Sequence, residues 1–115
     1  MKITIYHNPR CGTSRKVLAA IEERGFQPRI VDYLKTPPAR DELVGLLAAM
    51  GLGPREILRR KEPLYAELGL DDPARSDAEI LDAIGAHPVL MERPVVETPK
   101  GVRLCRPAEK VEEIL

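Results

Sequence analysis

The sequence predicts an α/β fold in which a β-α-β unit and a β-β-α unit flank a helical segment. Three observations carry that prediction. Short apolar, β-branched runs lie near both ends of the chain, an amphipathic helical pattern separates the first two of them, and the middle repeats its apolar residues at helical spacing between prolines and glycines. At 115 residues the chain reads as a single domain over 1–115, with the helical insertion spanning about 37–88.

Residues 3 to 6, with Ile3, Ile5 and Tyr6, read as the first strand. Residues 13 to 24 follow as a helix with Val17, Leu18 and Ile21 on one face and Gly25 at its end, and Arg29 to Tyr33 read as a second strand parallel to the first. Thr36-Pro37-Pro38 then opens a helix by the preference of proline for the first helical position. Asp41 and Glu42 lie in its first turn, Leu43, Leu46, Leu47 and Met50 on one face, and Gly51 at its end. Pro54 starts a shorter helical piece through Ile57 and Leu58, and Pro63 to Leu70 reads as another. Ser76 and Glu79 have capping-box spacing ahead of Ile80, Leu81 and Ile84, so the whole middle is expected to be helical. After His87-Pro88, an extended segment from Pro94 to Thr98, a turn at Pro99-Lys100-Gly101 and a strand from Val102 to Cys105 form an antiparallel hairpin. Pro107, at the first helical position, opens a last helix bearing Val111, Ile114 and Leu115.

This element order is that of a thioredoxin-like fold with a helical insertion between its halves. In that fold the proline before the third strand is commonly cis and faces the active-site cysteine, and Pro94 stands at that place. The fold alone leaves function open. Composition narrows it: 18 Lys and Arg balance 18 Asp and Glu, which gives no global positive field for nucleic acid and no basic tail for a membrane surface. No apolar run is long enough to span a bilayer, and the chain enters its first strand without a leader-like segment, so a cytoplasmic protein is expected. Cys11 and Cys105 are expected to be free thiols in a reducing compartment, and no Cys/His spacing suggests a metal site.

Cys11 carries the chemistry. It lies in His7-Asn8-Pro9-Arg10-Cys11-Gly12-Thr13-Ser14-Arg15, at or just before the first turn of a helix, where unpaired N–H groups and the helix dipole favour a negative sulfur. Arg10 and Arg15 supply positive charge nearby, and His7 is expected to contribute through charge or hydrogen bonding. Gly12 admits close approach to the backbone, and Thr13 and Ser14 add hydroxyl donors, so the same turn suits a tetrahedral oxyanion. The plainer alternative is a small buried cysteine packed near a helix start. Cys11 to Ser14 has the spacing of a dithiol motif with its second thiol replaced by a hydroxyl, which rules out a disulfide within the motif. A Cys-x5-Arg phosphatase loop is excluded because Val17 occupies the arginine position. Arg93 before Pro94, Arg106 before Pro107, and Arg59 at the end of Ile57-Leu58 are candidate oxyanion ligands, since a guanidinium offers a planar fork of donors.

The stretches I-T-I-Y-H-N-P-R-C-G-T-S-R, Y-L-K-T-P-P-A-R-D-E-L, Y-A-E-L-G-L, H-P-V-L-M-E-R-P-V-V and G-V-R-L-C-R-P resemble the glutaredoxin-coupled, ArsC-type arsenate reductases of bacteria, from Ile3 to Leu115. The resemblance implies arsenate reduction, with Cys11 as catalytic cysteine, His7 as helper, and Arg59, Arg93 and Arg106 on the oxyanion beside Gly12, Thr13 and Ser14. It also implies glutathione as co-substrate, glutaredoxin as partner, no bound cofactor or metal, no nucleic-acid or membrane partner, and a monomer. Two departures stand out. The segment Leu58-Arg59-Arg60-Lys61-Glu62-Pro63 orders its charges differently, so that Arg60 competes with Arg59 for the anion role, and Arg10 takes a place where a small residue is common. Two rival readings are a related thiol reductase of unknown substrate and an Spx-type regulatory module that binds RNA polymerase. The second usually carries a Cys-x-x-Cys switch, which Ser14 removes. Cys105 is an alternative resolving thiol, though packing explains its place.

Overall fold

The computed structural model describes residues 1–115, which form two compact units: Met1–Thr36 with Arg93–Leu115, and Pro37–Glu92. The first is a thioredoxin-like α/β layer. Strand β1 (Thr4–His7) pairs in parallel with β2 (Arg29–Asp32) across helix α1 (Gly12–Glu23), and antiparallel with β3 (Val95–Thr98). Strand β4 (Gly101–Leu104) closes the hairpin with β3, giving the sheet order β2-β1-β3-β4. Both strands of the first β-α-β unit are therefore parallel, as the helical crossover requires.

One face of this sheet supplies the core. Ile3, Ile5 and Val96 meet Val17 and Ile21 of α1, together with Cys105, Val111, Ile114 and Leu115 from the end of the chain. Helix α1 stops at Gly25, whose φ of +84° suits a residue without Cβ; the Gly25 N–H returns to the Glu22 carbonyl and the Phe26 N–H to that of Ile21. Thr98 ties the hairpin to the C-terminal segment by donating to the Ile114 carbonyl at 2.7 Å.

The second unit consists of α2 (Arg40–Met50), α3 (Pro63–Glu67) and α4 (Asp77–Ala86), with 3-10 turns at Pro54–Ile57 and Pro88–Leu90. Helix α4 starts with the expected capping box, Ser76 accepting from the Glu79 N–H while Glu79 reaches back to the Ser76 N–H. Leu43, Leu46, Leu47, Ile57, Leu58, Leu70, Ile80, Ile84, Leu90 and Met91 are its buried apolar residues. No helix of either unit is long and apolar enough to cross a membrane.

Three local expectations change. Helix α2 begins at Arg40 with Ala39 extended as its cap, not at the Pro37-Pro38 pair, because Arg40 is anchored to Asp82 and the Ala78 carbonyl of α4. Pro107 caps the last helix instead of opening it. That helix (Ala108–Ile114) is 3-10, and both Arg93–Pro94 and Arg106–Pro107 are cis. The middle is not wholly helical: Leu58 and Met91 form an antiparallel bridge, flanked by the bonds Arg59 N–H to Leu90 carbonyl (2.7 Å) and Glu92 N–H to Ile57 carbonyl (2.7 Å). Each partner segment is too short to show strand periodicity in sequence.

Ile21 is fully buried in the sheet unit, whereas Val44 on α2 is 45% exposed. Ile21→Ala should therefore cost about 2–5 kcal/mol in urea unfolding, and Val44→Ala no more than about 0.5 kcal/mol. Equal losses would contradict the core assignment.

Candidate functional site

Strand β1 carries the chain to His7, and Asn8-Pro9-Arg10 turn it so that Cys11 becomes the N-cap of α1, extended at φ −89°, ψ 122°. Asn8 makes that turn. Its carbonyl accepts the Cys11 N–H at 3.0 Å, and its side-chain Oδ1 accepts the Arg10 N–H at 3.0 Å, the local bonding for which asparagine is favoured in turns. From the helix side, the Arg15 N–H donates to the Cys11 carbonyl at 3.0 Å and its Nη1 to the Pro9 carbonyl at 2.9 Å.

These bonds decide which donors remain for an anion. The N–H groups of Arg10 and Cys11 are engaged by Asn8, whereas those of Gly12, Thr13 and Ser14 belong to the first helical turn, which has no carbonyl of its own to offer them. The space beside Gly12 is open: a methyl group there would meet only Arg15 Nη2, at 3.8 Å.

The Ser14 hydroxyl is engaged within the protein. Ser14 is fully buried, its Oγ lies 2.5 Å from His7 Nδ1, and it accepts the Asn8 N–H at 3.1 Å. Its hydroxyl thus joins the end of β1 to the start of α1, and its backbone N–H is what it can offer a ligand. His7 is buried as well. Burial lowers its pKa from the ordinary 6.5, Asp32 raises it to a smaller extent, and Arg15 lowers it further. The lowered pKa favours the neutral imidazole, and of the two contributions expected of His7 it is hydrogen bonding that the Ser14 contact shows.

Arg106 brings positive charge to the sulfur. Its Nη1 lies 3.7 Å from Cys11 Sγ and also donates to the Arg93 carbonyl at 3.1 Å, so one guanidinium joins the thiol to the cis Arg93–Pro94 segment. Cys11 is 8% exposed, and Arg93, which precedes Pro94 in sequence, is buried. Arg59 belongs to the helical unit, where the Leu58–Met91 bridge fixes its backbone. It is half-buried, and Arg60 is exposed.

Cys105 has the opposite environment. It is fully buried among apolar side chains, and burial pushes its thiol up to about 12, which leaves it protonated at neutral pH. Both cysteines are free. Asn8 was not singled out in the sequence, although Asn-Pro directly after a strand is a turn signal that points to it.

Comparison with known proteins gives consistent findings. The model of the ArsC family matches residues 6–114. An arsenate reductase of Rhizobium meliloti strain 1021 is 56% identical over 115 residues, covering 100% of this chain and 82% of that protein. One from Escherichia coli K12 is 53% identical over 113 residues, covering 98% and 80%. The structure of an arsenate reductase from Vibrio cholerae superposes with a TM-score of 0.96 at 44% identity, covering 100% of this chain and 98% of that one.

The lowered pKa of His7 has a definite sign in stability. The unfolded chain takes up a proton near pH 6.5 that the folded chain refuses, so stability falls as pH drops through that value and on toward the lower folded pKa. Urea midpoints measured from about pH 8 to 5 should fall more steeply for the wild type than for His7→Gln. Superimposable profiles would contradict a neutral, buried His7.

Proposed function

The chain belongs to the ArsC family and is an arsenate reductase, and we propose that it reduces arsenate to arsenite with Cys11 as the attacking thiolate. The observation that carries the assignment to Cys11 is the Arg106 guanidinium 3.7 Å from its sulfur, at the N-cap of α1.

The chemistry follows from charge. Arsenate is a tetrahedral oxyanion, and an anionic nucleophile reaches it only where its oxygens are neutralised. The N–H groups of Gly12, Thr13 and Ser14, with Arg93 and Arg106, supply that neutralisation around the sulfur. Sulfur attack forms an S–As bond, and an As–O bond breaks to release hydroxide or water, with arsenic still As(V). Reduction to As(III) takes two electrons, and Cys11 with one glutathione thiol supplies them, ending as a mixed disulfide that glutaredoxin reduces. Ser14 supports an external second thiol because it removes the resolving cysteine from the motif. Cys105 supports it too: protonated in the core, it is a poor resolving nucleophile.

The family resemblance, and sequence alone, assigns Arg59 as a third guanidinium on the oxyanion, with Arg60 as its competitor. The same reading takes the protein as a cytoplasmic monomer, one domain over 1–115, working without a bound cofactor or metal.

In an NADPH-coupled assay with glutathione, glutathione reductase and glutaredoxin, Cys11→Ser should abolish arsenate-dependent turnover, and Cys105→Ala should keep most of it. Arg93→Ala and Arg106→Ala should each cost about 1.5–3 kcal/mol in kcat/KM, with Arg106→Lys intermediate because it keeps charge but loses the planar fork. Full turnover by folded Arg93→Ala and Arg106→Ala would place the anion elsewhere.

A further inference from the structure

Arg15 touches the backbone on both sides of the nucleophile, and no other residue does so from the helix. Its N–H holds the Cys11 carbonyl at 3.0 Å, and its Nη1 holds the Pro9 carbonyl at 2.9 Å, two residues before the sulfur. The side chain folds back over the first helical turn to reach Pro9. Its Nη2 comes within 3.8 Å of the point where a side chain on Gly12 would begin. The loop it spans is short and mostly exposed: Pro9, Arg10 and Gly12 face solvent, and only Cys11 is buried. Within such a loop the Asn8 bonds fix the inner side of the turn, and nothing but the Arg15 guanidinium fixes the Pro9 carbonyl on the outer side.

We propose that Arg15 is a positioning residue for Cys11: by bonding the Pro9 carbonyl it holds the loop in the form that keeps the sulfur at the N-cap of α1. The proposal rests on reading Cys11 as the nucleophile. It gives Arg15 a purpose different from that of Arg93 and Arg106, because the bond it makes is to the protein and not to the anion. A small displacement of a nucleophile lowers the rate of attack while leaving substrate binding largely intact. Loss of Arg15 should accordingly appear in kcat and spare KM.

The exposed position of Arg15 allows it to be replaced without opening the core. Arg15→Ala should lower kcat for arsenate on the order of tenfold, the scale of one lost bond from a charged donor, with KM for arsenate changed less than about twofold. Arg15→Lys, whose ammonium can also donate to a carbonyl, should recover part of kcat. A second readout needs no arsenate: the alkylation rate of Cys11 by iodoacetamide, an uncharged reagent, should fall in Arg15→Ala and recover in Arg15→Lys, with Cys105 shielded by burial. The reading of Cys11 as an arsenate nucleophile fails separately, if the wild type alkylates at Cys11 but does not turn over arsenate. The proposal is overturned if Arg15→Ala keeps the wild-type kcat and alkylation rate. It is overturned equally if KM rises with kcat unchanged, which would make Arg15 an anion contact.

Discussion

The Ser14 hydroxyl, 2.5 Å from His7 Nδ1 and 3.1 Å from the Asn8 N–H, joins the last residue of β1 to the first turn of α1 in a place closed to water. The geometry of the loop depends on that junction. With strand end and helix start tied together, the Asn8-Pro9-Arg10 turn spans a fixed gap that the Asn8 and Arg15 bonds then close, and Cys11 falls at the helix cap. Burial also sets the state of His7: a protonated imidazole would be desolvated and would face Arg15, so the neutral ring is retained despite Asp32. The residue that replaces a second thiol in the motif is thus the structural centre of the site.

The two cysteines show how environment decides the use of one side chain. Cys105 and Arg106 are adjacent, yet the first points into the core with Val17, Val96 and Val111, and the second reaches the Cys11 sulfur. The Cys105 N–H donates to the Pro94 carbonyl at 2.9 Å, which extends the hairpin one bond beyond β4 and fixes this alternation. Burying the Cys105 thiol is therefore part of what directs the Arg106 guanidinium to the sulfur. One cysteine is an apolar core residue with its thiol pushed up to about 12, and the other sits at a helix start with a cation against it.

Most of this was legible in the sequence where a residue's own chemistry sets the local structure. The β-α-β unit, the hairpin, the Ser76–Glu79 capping box and the placement of Cys11 all follow from periodicity, capping and turn residues acting over a few positions. The starts of α2 and of the last helix were misjudged, because proline is tolerated both at a helix's first position and just before it, and distant partners of residues such as Arg40 decide between the two. The Leu58–Met91 bridge links segments 33 residues apart, each too short to have a pattern. For His7 and Ser14 the sequence shows which groups are near Cys11 but not which bond to each other. Only the fold makes Ser14 Oγ a buried partner of His7.

Arsenate-driven glutathionylation tests the central claim most directly. The protein is incubated with arsenate and glutathione, without glutaredoxin, and its thiols are mapped by peptide mass after quenching with an alkylating reagent. Cys11 and glutathione as the joint electron donors predict glutathione on the Cys11 peptide, dependent on arsenate, with Cys105 recovered as a free thiol. A Cys11–Cys105 disulfide, or glutathione on Cys105 with Cys11 untouched, would contradict it.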